Sequence, residues 1–246
     1  MRYMLAVILV SVASLLGFTS ANAADTLRVG FSSDMPPYVI EASASGIEVD
    51  IVRAAGKAAG LAVTPHFFPM GRLTRMLETG EIDAIATTNL NDKTTPHQSA
   101  EYVEFRNYAV ALASRKLEVK AIADLGKYSV SAFQRADVLL GPEFEAMARA
   151  NPRYREEADQ IVRNRLLFTG RIDLIVGDRR IIEHFNRAIR DKLDTSRPLA
   201  WYPLFPPTRY RIGFRDAALR DRFDDGLAAI QKNGAHAEII KRHAGK

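Results

Sequence analysis

The 246-residue sequence contains no cysteine, so it can form no disulfide, thiolate metal site or cysteine nucleophile. The five histidines, at positions 66, 97, 184, 236 and 243, lack the close spacing of metal-binding motifs. The sequence also lacks a Gly-x-Ser-x-Gly elbow, a glycine-rich phosphate loop and a dinucleotide fingerprint. We therefore expect no metal, no cofactor and no catalytic residue.

Long runs of one charge are absent as well. Basic residues exceed acidic ones by five, but this excess is spread along the chain without the Lys/Arg run of a nucleic-acid-binding arm. We expect no nucleic-acid partner, and interpret the charge as an aid to solubility with at most weak steering of anionic solutes.

One apolar run stands out, over residues 4–18, and it is preceded by Arg2 and followed by Ala-Asn-Ala at 21–23. This order is typical of a secretory signal peptide, cleaved after Ala23. The run is shorter than the roughly twenty residues that span a bilayer, so an uncleaved anchor is the weaker alternative. Because no cysteine is available for lipidation, we expect a periplasmic protein without a stable membrane anchor. We also expect it to be a monomer.

A ten-residue segment occurs twice. Residues 77–86 (LETGEIDAIA) and 167–176 (LFTGRIDLIV) match at Leu, Thr, Gly, Ile, Asp and Ile. Each copy predicts a helix closed by glycine in the left-handed conformation, followed by a strand buried on both faces. Helix-glycine-strand junctions are common in α/β proteins, which is the alternative explanation. We interpret the repeat as two similar α/β lobes with a cleft between them.

The flanking patterns extend this interpretation. Residues 27–86 predict the order β-α-β-α-β, with strands at 27–31 and 61–68, and a similar pattern restarts near residue 128. Residues 154–168 predict one helix. In open parallel sheets of this kind, ligands bind beyond the carboxyl ends of the strands.

Several short segments follow one another in a characteristic order: 27–30 (LRVG), 36–38 (PPY), 46–50 (GIEVD), 80–85 (GEIDAI), 124–126 (DLG), 170–178 (GRIDLIVGD), 213–219 (GFRDAAL) and 233–234 (NG). In this order they resemble the bacterial extracellular solute-binding proteins of family 3, periplasmic receptors best known for delivering polar amino acids to ABC transporters.

The resemblance implies an α/β, two-lobe type II periplasmic-binding fold with a central parallel-rich sheet in each lobe and a two-strand hinge. Lobe 1 is expected to comprise residues 24–112 and 211–246, and lobe 2 residues 113–210. The hinge strands are expected near 109–114 and 210–214. A small-molecule solute and an inner-membrane ABC permease are the implied partners.

In lobe 1, the resemblance assigns Asp34 and Tyr38 to a binding loop, with the Tyr38 ring flanking the ligand; the alternative is that Tyr38 only packs beside the prolines. Thr87, Thr88 and Asn89 follow the first repeat strand and are expected to offer hydrogen-bond donors to a solute. An ordinary polar turn is the alternative.

In lobe 2, Phe133 and Gln134 lie between a predicted strand and a helix, where free N–H groups favour a carboxylate. Asp178 matches the acidic residue that pairs with the α-ammonium of amino-acid ligands in the family. Its alternative role is to cap the following helix.

One departure from the family concerns arginine. Amino-acid receptors of the family have Thr-Pro-Glu-Arg after the first repeat strand, where the arginine grips the ligand carboxylate. Residues 95–98 of this chain read Thr-Pro-His-Gln. We hypothesise that Arg72 supplies the guanidinium from another wall, the alternative being a solvated helix arginine. Arg163 is expected on the surface.

Together these features predict a periplasmic protein that captures a small polar, carboxylate-bearing, amino-acid-like solute for ABC-transporter uptake, without making or breaking a bond. Two alternatives remain. One is a cleft enzyme of the cyclohexadienyl dehydratase type, with Asp34, Glu48 or Asp178 as acid or base. The other is a module that presents its ligand to a membrane sensor.

Overall fold

The computed structural model describes residues 25–33 and 35–244. The predicted signal peptide and Asp34 lie outside the described residues. Two mixed sheets organise the described part of the chain. The first contains β1 (Asp25–Ser32), β2 (Leu61–Phe68), β3 (Ala84–Thr88), β4 (His97–Gln98), β5 (Val103–Phe105) and β11 (Thr208–Phe214). The second contains β6 (Asn107–Leu112), β7 (Val130–Phe133), β8 (Tyr154–Glu157), β9 (Leu174–Asp178) and β10 (Leu199–Tyr202).

Helices connect and cover these strands. They are α1 (Ile47–Ala58), α2 (Met70–Thr79), α3 (Ala136–Leu139), α4 (Pro142–Ala150), α5 (Gln160–Phe168), α6 (Arg179–Ile189), α7 (Ala217–Lys232) and α8 (Ala235–Ala244). Within the described ranges, no helix is both long and apolar enough to cross a membrane.

Both sheets have the same arrangement at their centre. The first has the order β2-β1-β3-β11-β4, with β5 also on β11, and the second has the order β10-β6-β9-β7-β8. Three neighbouring strands are parallel in each sheet, β2-β1-β3 and β8-β7-β9, and the remaining pairs are antiparallel. The predicted α/β, two-lobe architecture is confirmed.

The sequence repeat is also a structural repeat. Gly80 and Gly170 have φ angles of 79° and 71°, in the left-handed region that closes a helix. The strands that follow, β3 and β9, are buried at every residue. The repeated aspartates have the same role, since Oδ2 of Asp83 accepts from the Arg28 backbone N–H and Oδ2 of Asp173 from the Ser129 N–H, both at 2.9 Å.

The core of the first sheet shows why one glycine is required. Helices α1 and α7 pack across it, with Ile51, Phe223 and Leu227 fully buried. A Cβ on Gly226 would lie 2.1 Å from the Ala55 carbonyl oxygen, so only glycine allows the two backbones this close an approach.

The chain passes between the sheets earlier than predicted. Strand β6, which contains most of the expected hinge segment 109–114, pairs with β9 along residues 107–110 and therefore belongs to the second sheet. Strand β11 belongs to the first sheet from Thr208, which lies opposite Phe105. Their antiparallel hydrogen bonding to neighbouring strands assigns each of these two strands to its sheet. We propose that the lobes meet at residue 106 and at residues 203–207, rather than at 112 and 210.

The helix predicted at 154–168 is wrong in its first part. Residues Tyr154–Glu157 form β8, which pairs in parallel with β7, and α5 starts only at Gln160. Asp159 caps this helix by accepting a hydrogen bond from the Ile161 N–H at 3.1 Å. Pairing with β7 outweighs the helical periodicity of these residues.

Candidate functional site

A cavity lies between the two sheets, at the carboxyl ends of their parallel strands. It contains about 460 Å³ of space not filled by atoms, part of it open to solvent. We call it the interlobe cavity. Its lining comes from both sheets: Ser32, Met35, Met70, Thr87, Phe105 and Tyr210 on one side, and Asn107, Phe133, Gln134, Leu139, Glu157, Ala158, Gln160, Asp178 and Ile181 on the other.

Four of the predicted binding residues line this cavity: Thr87, Phe133, Gln134 and Asp178. Their contact with a solute stays a prediction. Asp34 lies outside the described residues. The other four predicted residues have different surroundings, described below.

Tyr38 is buried in a contact between the lobes. Its ring stacks on Phe105 with the ring centres 3.8 Å apart, and its hydroxyl donates to Oδ2 of Asp178 at 3.3 Å. Burial, together with the nearby carboxylate, raises the pKa of Tyr38 well above its usual value. Tyr38 lines a second cavity together with Asp178 and three arginines, Arg106, Arg179 and Arg180.

Asp178 has four hydrogen-bond donors around its carboxylate. Oδ1 accepts from the backbone N–H groups of Arg180 and Ile181, at 2.9 and 3.4 Å, so Asp178 caps α6. Oδ2 accepts from the Arg106 N–H at 2.8 Å and from Tyr38. Burial nevertheless raises the pKa of Asp178. The capping role considered from the sequence is present, and one edge of this residue still lines the cavity.

Thr87 stands in front of a buried carboxyl group. It has a left-handed φ of 59°, and its hydroxyl donates to Oε2 of Glu48 at 2.7 Å. The Tyr102 hydroxyl donates to the same oxygen and accepts from the Thr87 N–H. Glu48 is completely buried, which raises its pKa to about 7, and its Oε1 has no hydrogen-bond partner among the described residues.

Thr88 donates a hydrogen bond to an ion pair that joins the lobes. Its hydroxyl donates to Oδ2 of Asp92 at 2.8 Å. Arg135, from the second lobe, binds both oxygens of Asp92, at 2.7 and 2.9 Å. Although burial opposes ionisation, this guanidinium lowers the pKa of Asp92 to about 2. The Thr88 hydroxyl is thus engaged within the protein.

Two amide side chains add contacts between the lobes. Asn89 donates from Nδ2 to the Leu139 carbonyl at 2.9 Å, and Gln134 accepts through Oε1 from the Gly71 N–H at 3.1 Å. Since Asn89 and Gly71 belong to the first lobe, the lobes are in direct contact around the cavity. The structure thus shows a closed arrangement.

Arg72 does not line the interlobe cavity. Its guanidinium lies over the Phe68 ring, with Cζ 4.0 Å from the ring centre, and the residue is exposed. A cation-π contact with a neighbouring aromatic ring explains this position. It corresponds to the surface alternative considered from the sequence.

The expectation for Arg163 is wrong, because this residue is fully buried. Its Nη1 donates to the Val176 carbonyl at 2.9 Å, whereas Nε and Nη2 have no partner within the described ranges. Burial lowers the pKa of Arg163 to about 10, opposed by the negative charges of Asp178 and Glu157. The guanidinium rests against Gly177, where a Cβ would lie 2.6 Å from Nη1.

The anion site predicted beside Phe133 and Gln134 is already occupied. At the start of α3, the N–H groups of Arg135 and Asp137 donate to the two carboxylate oxygens of Glu156, at 2.7 and 3.1 Å. A protein carboxylate therefore takes the place expected for a solute carboxylate.

Sequence reasoning did not identify Glu157 and Gln160 as lining residues. Glu157 ends a strand that is parallel to β7, so it reaches the same edge as Phe133. The prediction of a single helix over 154–168 hid this signal. The Asp159 cap, one residue before Gln160, could have revealed the strand-to-helix junction.

The sequence profile of the bacterial extracellular solute-binding proteins, family 3, matches residues 27–246. No curated protein sequence matches the chain. Within residues 25–33 and 35–244, no group of three or more His, Asp and Glu side chains could hold a metal ion.

Solved structures share the fold. A histidine kinase sensor domain similar to periplasmic binding proteins is 20% identical, with a TM-score of 0.75 over 89% of this chain and 96% of its own. The arginine-, lysine-, histidine-binding protein ArtJ of Geobacillus stearothermophilus is 19% identical, with a TM-score of 0.73 over 90% and 96%. An ancestral amino-acid-binding protein, a precursor of cyclohexadienyl dehydratase, is 18% identical, with a TM-score of 0.65 over 89% and 95%.

Proposed function

The chain belongs to the bacterial extracellular solute-binding proteins, family 3, and from this premise we propose that it captures a small polar solute in the interlobe cavity and delivers it to an inner-membrane ABC permease. The observation that carries the proposal is the cavity itself, lined from both sheets and closed by contacts between them. Such a geometry suits binding by hinge closure, in which each lobe supplies part of the site.

Binding suits the side chains better than catalysis does. An acid or base must reach the proton that it transfers. Of the three candidate acids or bases, Asp178 is held by four donors, Glu48 is buried behind Thr87 and does not line the cavity, and Asp34 lies outside the described residues. These contacts favour a receptor over the dehydratase-like alternative. Presentation of the solute to a membrane sensor would use the same cavity.

The groups expected to receive a solute carboxylate have other surroundings in the described residues. Thr88 donates to Asp92, Glu156 occupies the start of α3, and Arg72 lies outside the cavity. The groups expected to receive a solute carboxylate are therefore engaged elsewhere.

Export to the periplasm is part of the proposal and rests on the sequence of residues 1–23. We expect mass spectrometry of the periplasmic fraction to find Ala24 as the first residue, because the Ala-Asn-Ala segment provides the small residues that signal peptidase requires. A full-length species retained in the inner membrane would contradict this prediction.

Ligand-driven closure provides the direct test of function. A thermal-shift screen against amino acids, amines, polyamines, organic acids and sugars is expected to find a stabilising compound. At a concentration 100 times its Kd, a ligand stabilises the folded state by about 2.7 kcal/mol, which corresponds to roughly 5 to 10 °C for a protein of this size. Small-angle scattering is then expected to show a smaller radius of gyration with the ligand bound.

Two results would contradict the proposed function. One is a screen in which no compound raises the melting temperature. The other is a ligand, confirmed by calorimetry, that leaves the radius of gyration of the free protein unchanged.

A further inference from the structure

Building on the proposed function, we infer that the solute is an organic cation that carries no carboxylate group. The inference rests on the charges that face the interlobe cavity and on the positions of the nearby cations. It narrows the substrate class of the same site.

The cavity wall is acidic. Among the fifteen lining residues of the described chain are two carboxylates, Glu157 and Asp178, and no arginine, lysine or histidine. A solute carboxylate would be taken out of water without an opposite charge, and burying an unpaired charge is strongly unfavourable. A solute cation would lie beside Glu157 and Asp178, whose charges are at present offset by Arg155 at the surface, by the buried Arg163 and by neutral N–H and O–H donors.

The nearest cationic or N–H-rich positions are already occupied by carboxylates of the protein. Arg135 binds Asp92 through both nitrogens of its fork. The N–H groups at the start of α3 bind Glu156, and those at the start of α6 bind Asp178. A solute carboxylate would have to displace one of these groups.

The remaining arginines near the cavity are separated from it. Arg163 is fully buried beneath β9 and does not line the cavity. Arg106, Arg179 and Arg180 line the second cavity, which shares Asp178 with the interlobe cavity, and none of the three lines the interlobe cavity itself. None of these side chains contributes to the wall that a solute would touch.

A cation finds suitable partners on the second-lobe side of the cavity. Glu157 is mostly buried there, and its Oε1 pairs with the exposed Arg155. Oδ1 of Asn107 and Oε1 of Gln160 are buried and have no hydrogen-bond partner among the described residues. Both residues line the cavity. Buried amide oxygens without partners favour a ligand that donates hydrogen bonds.

The rest of the wall suits the body of an organic amine. The aromatic rings of Phe105, Phe133 and Tyr210 can attract a cation through their faces. Met35 and Met70 supply flexible apolar surface. An ammonium, guanidinium or quaternary ammonium group on an apolar chain or ring matches this combination.

Calorimetry on matched pairs tests the inference, because each pair differs only in the carboxylate: agmatine and arginine, cadaverine and lysine, phenethylamine and phenylalanine. We expect the amine of at least one pair to bind at least tenfold more tightly than its amino acid. If the amino acid binds as tightly or more tightly in every pair that binds, the inference is overturned while the proposed function stands. If no compound in these pairs or in the wider screen binds, both are overturned.

A substitution at the acidic wall provides a second test. Glu157→Gln is expected to weaken binding of the preferred amine at least tenfold, because it removes a negative charge from the cavity while keeping the side-chain shape. Glu143→Gln is the matched control, since Glu143 is exposed on α4 of the same lobe. Circular dichroism verifies folding. Equal affinities of the two folded variants for the amine would overturn the inference.

Discussion

Replacing Arg163 with alanine is expected to lower the free energy of unfolding by about 2 to 5 kcal/mol, the range found when a large buried side chain is truncated to alanine. Arg163 is fully buried, donates to the Val176 carbonyl and offsets the charges of Asp178 and Glu157. Alanine would leave a cavity, an unpaired carbonyl and two less compensated carboxylates.

Urea denaturation followed by tryptophan fluorescence measures this effect, because the only tryptophan, Trp201, lies in β10 of the same sheet. Arg165→Ala is the matched control: Arg165 is exposed on the same helix, and its loss is expected to change stability by less than about 0.5 kcal/mol. Arg163→Met is expected to cost less than Arg163→Ala, since it fills part of the space and removes the donors that lack partners. An Arg163→Ala protein as stable as the Arg165→Ala control would show that the buried Arg163 side chain does not contribute to the free energy of unfolding.

The buried position of Arg163 could not be read from the sequence. Arginine is almost never fully buried unless it is paired, so a helical arginine is expected to face solvent. What places it inside is the lack of a side chain at Gly177, which leaves room for the guanidinium against the strand. That relation joins positions fourteen residues apart and carries no local periodic signal.

Elements defined by local signals were predicted well. Strand β2 has the predicted bounds, and Gly80 and Gly170 have the left-handed conformation expected at the ends of α2 and α5. Hydrophobic periodicity and glycine conformation are properties of neighbouring residues, which is why a single sequence reveals them. The helix prediction was wrong for the first part of residues 154–168, because the strand there is stabilised by pairing with β7, which is distant in sequence.

The sequence predicted the location of the candidate site but not the hydrogen bonds and ion pairs around it. Thr87, Phe133, Gln134 and Asp178 line the cavity because each lies at or next to the carboxyl end of a strand, and these strand ends meet at one edge. Asp92 is the partner of both Thr88 and Arg135, and Glu156 is the partner of the N–H groups at the start of α3. These carboxylates change the expected charge of the site, and their contacts across the fold are invisible in the chain order.

Glu48 makes the stability of the first lobe dependent on pH. Burial raises its pKa from 4.5 to about 7, against the hydrogen bonds from Thr87 and Tyr102 that favour the ionised form. Below pH 4.5 the carboxyl is protonated in both the folded and the unfolded chain, so it imposes no penalty. As the pH rises from about 4.5 to about 7, the unfolded chain ionises first and the folded state loses stability. This increase of the Glu48 pKa corresponds to about 3 kcal/mol of stability, which is lost in full above pH 7.

Glu48→Gln is therefore expected to raise the free energy of unfolding by up to about 3 kcal/mol at pH 8 and to change it little at pH 4.5. Glutamine resembles the protonated carboxyl: its oxygen can accept from Thr87 and Tyr102, while its amide occupies the place of Oε1, which has no partner among the described residues. Urea denaturation followed by circular dichroism at several pH values measures the difference. Glu78→Gln, at an exposed position on α2 of the same lobe, should leave the pH profile unchanged. If Glu48→Gln and the parent protein changed stability in parallel between pH 4.5 and 8, the Glu48 carboxyl would have the same pKa in the folded and unfolded chain, and the pH dependence assigned to its burial would be wrong.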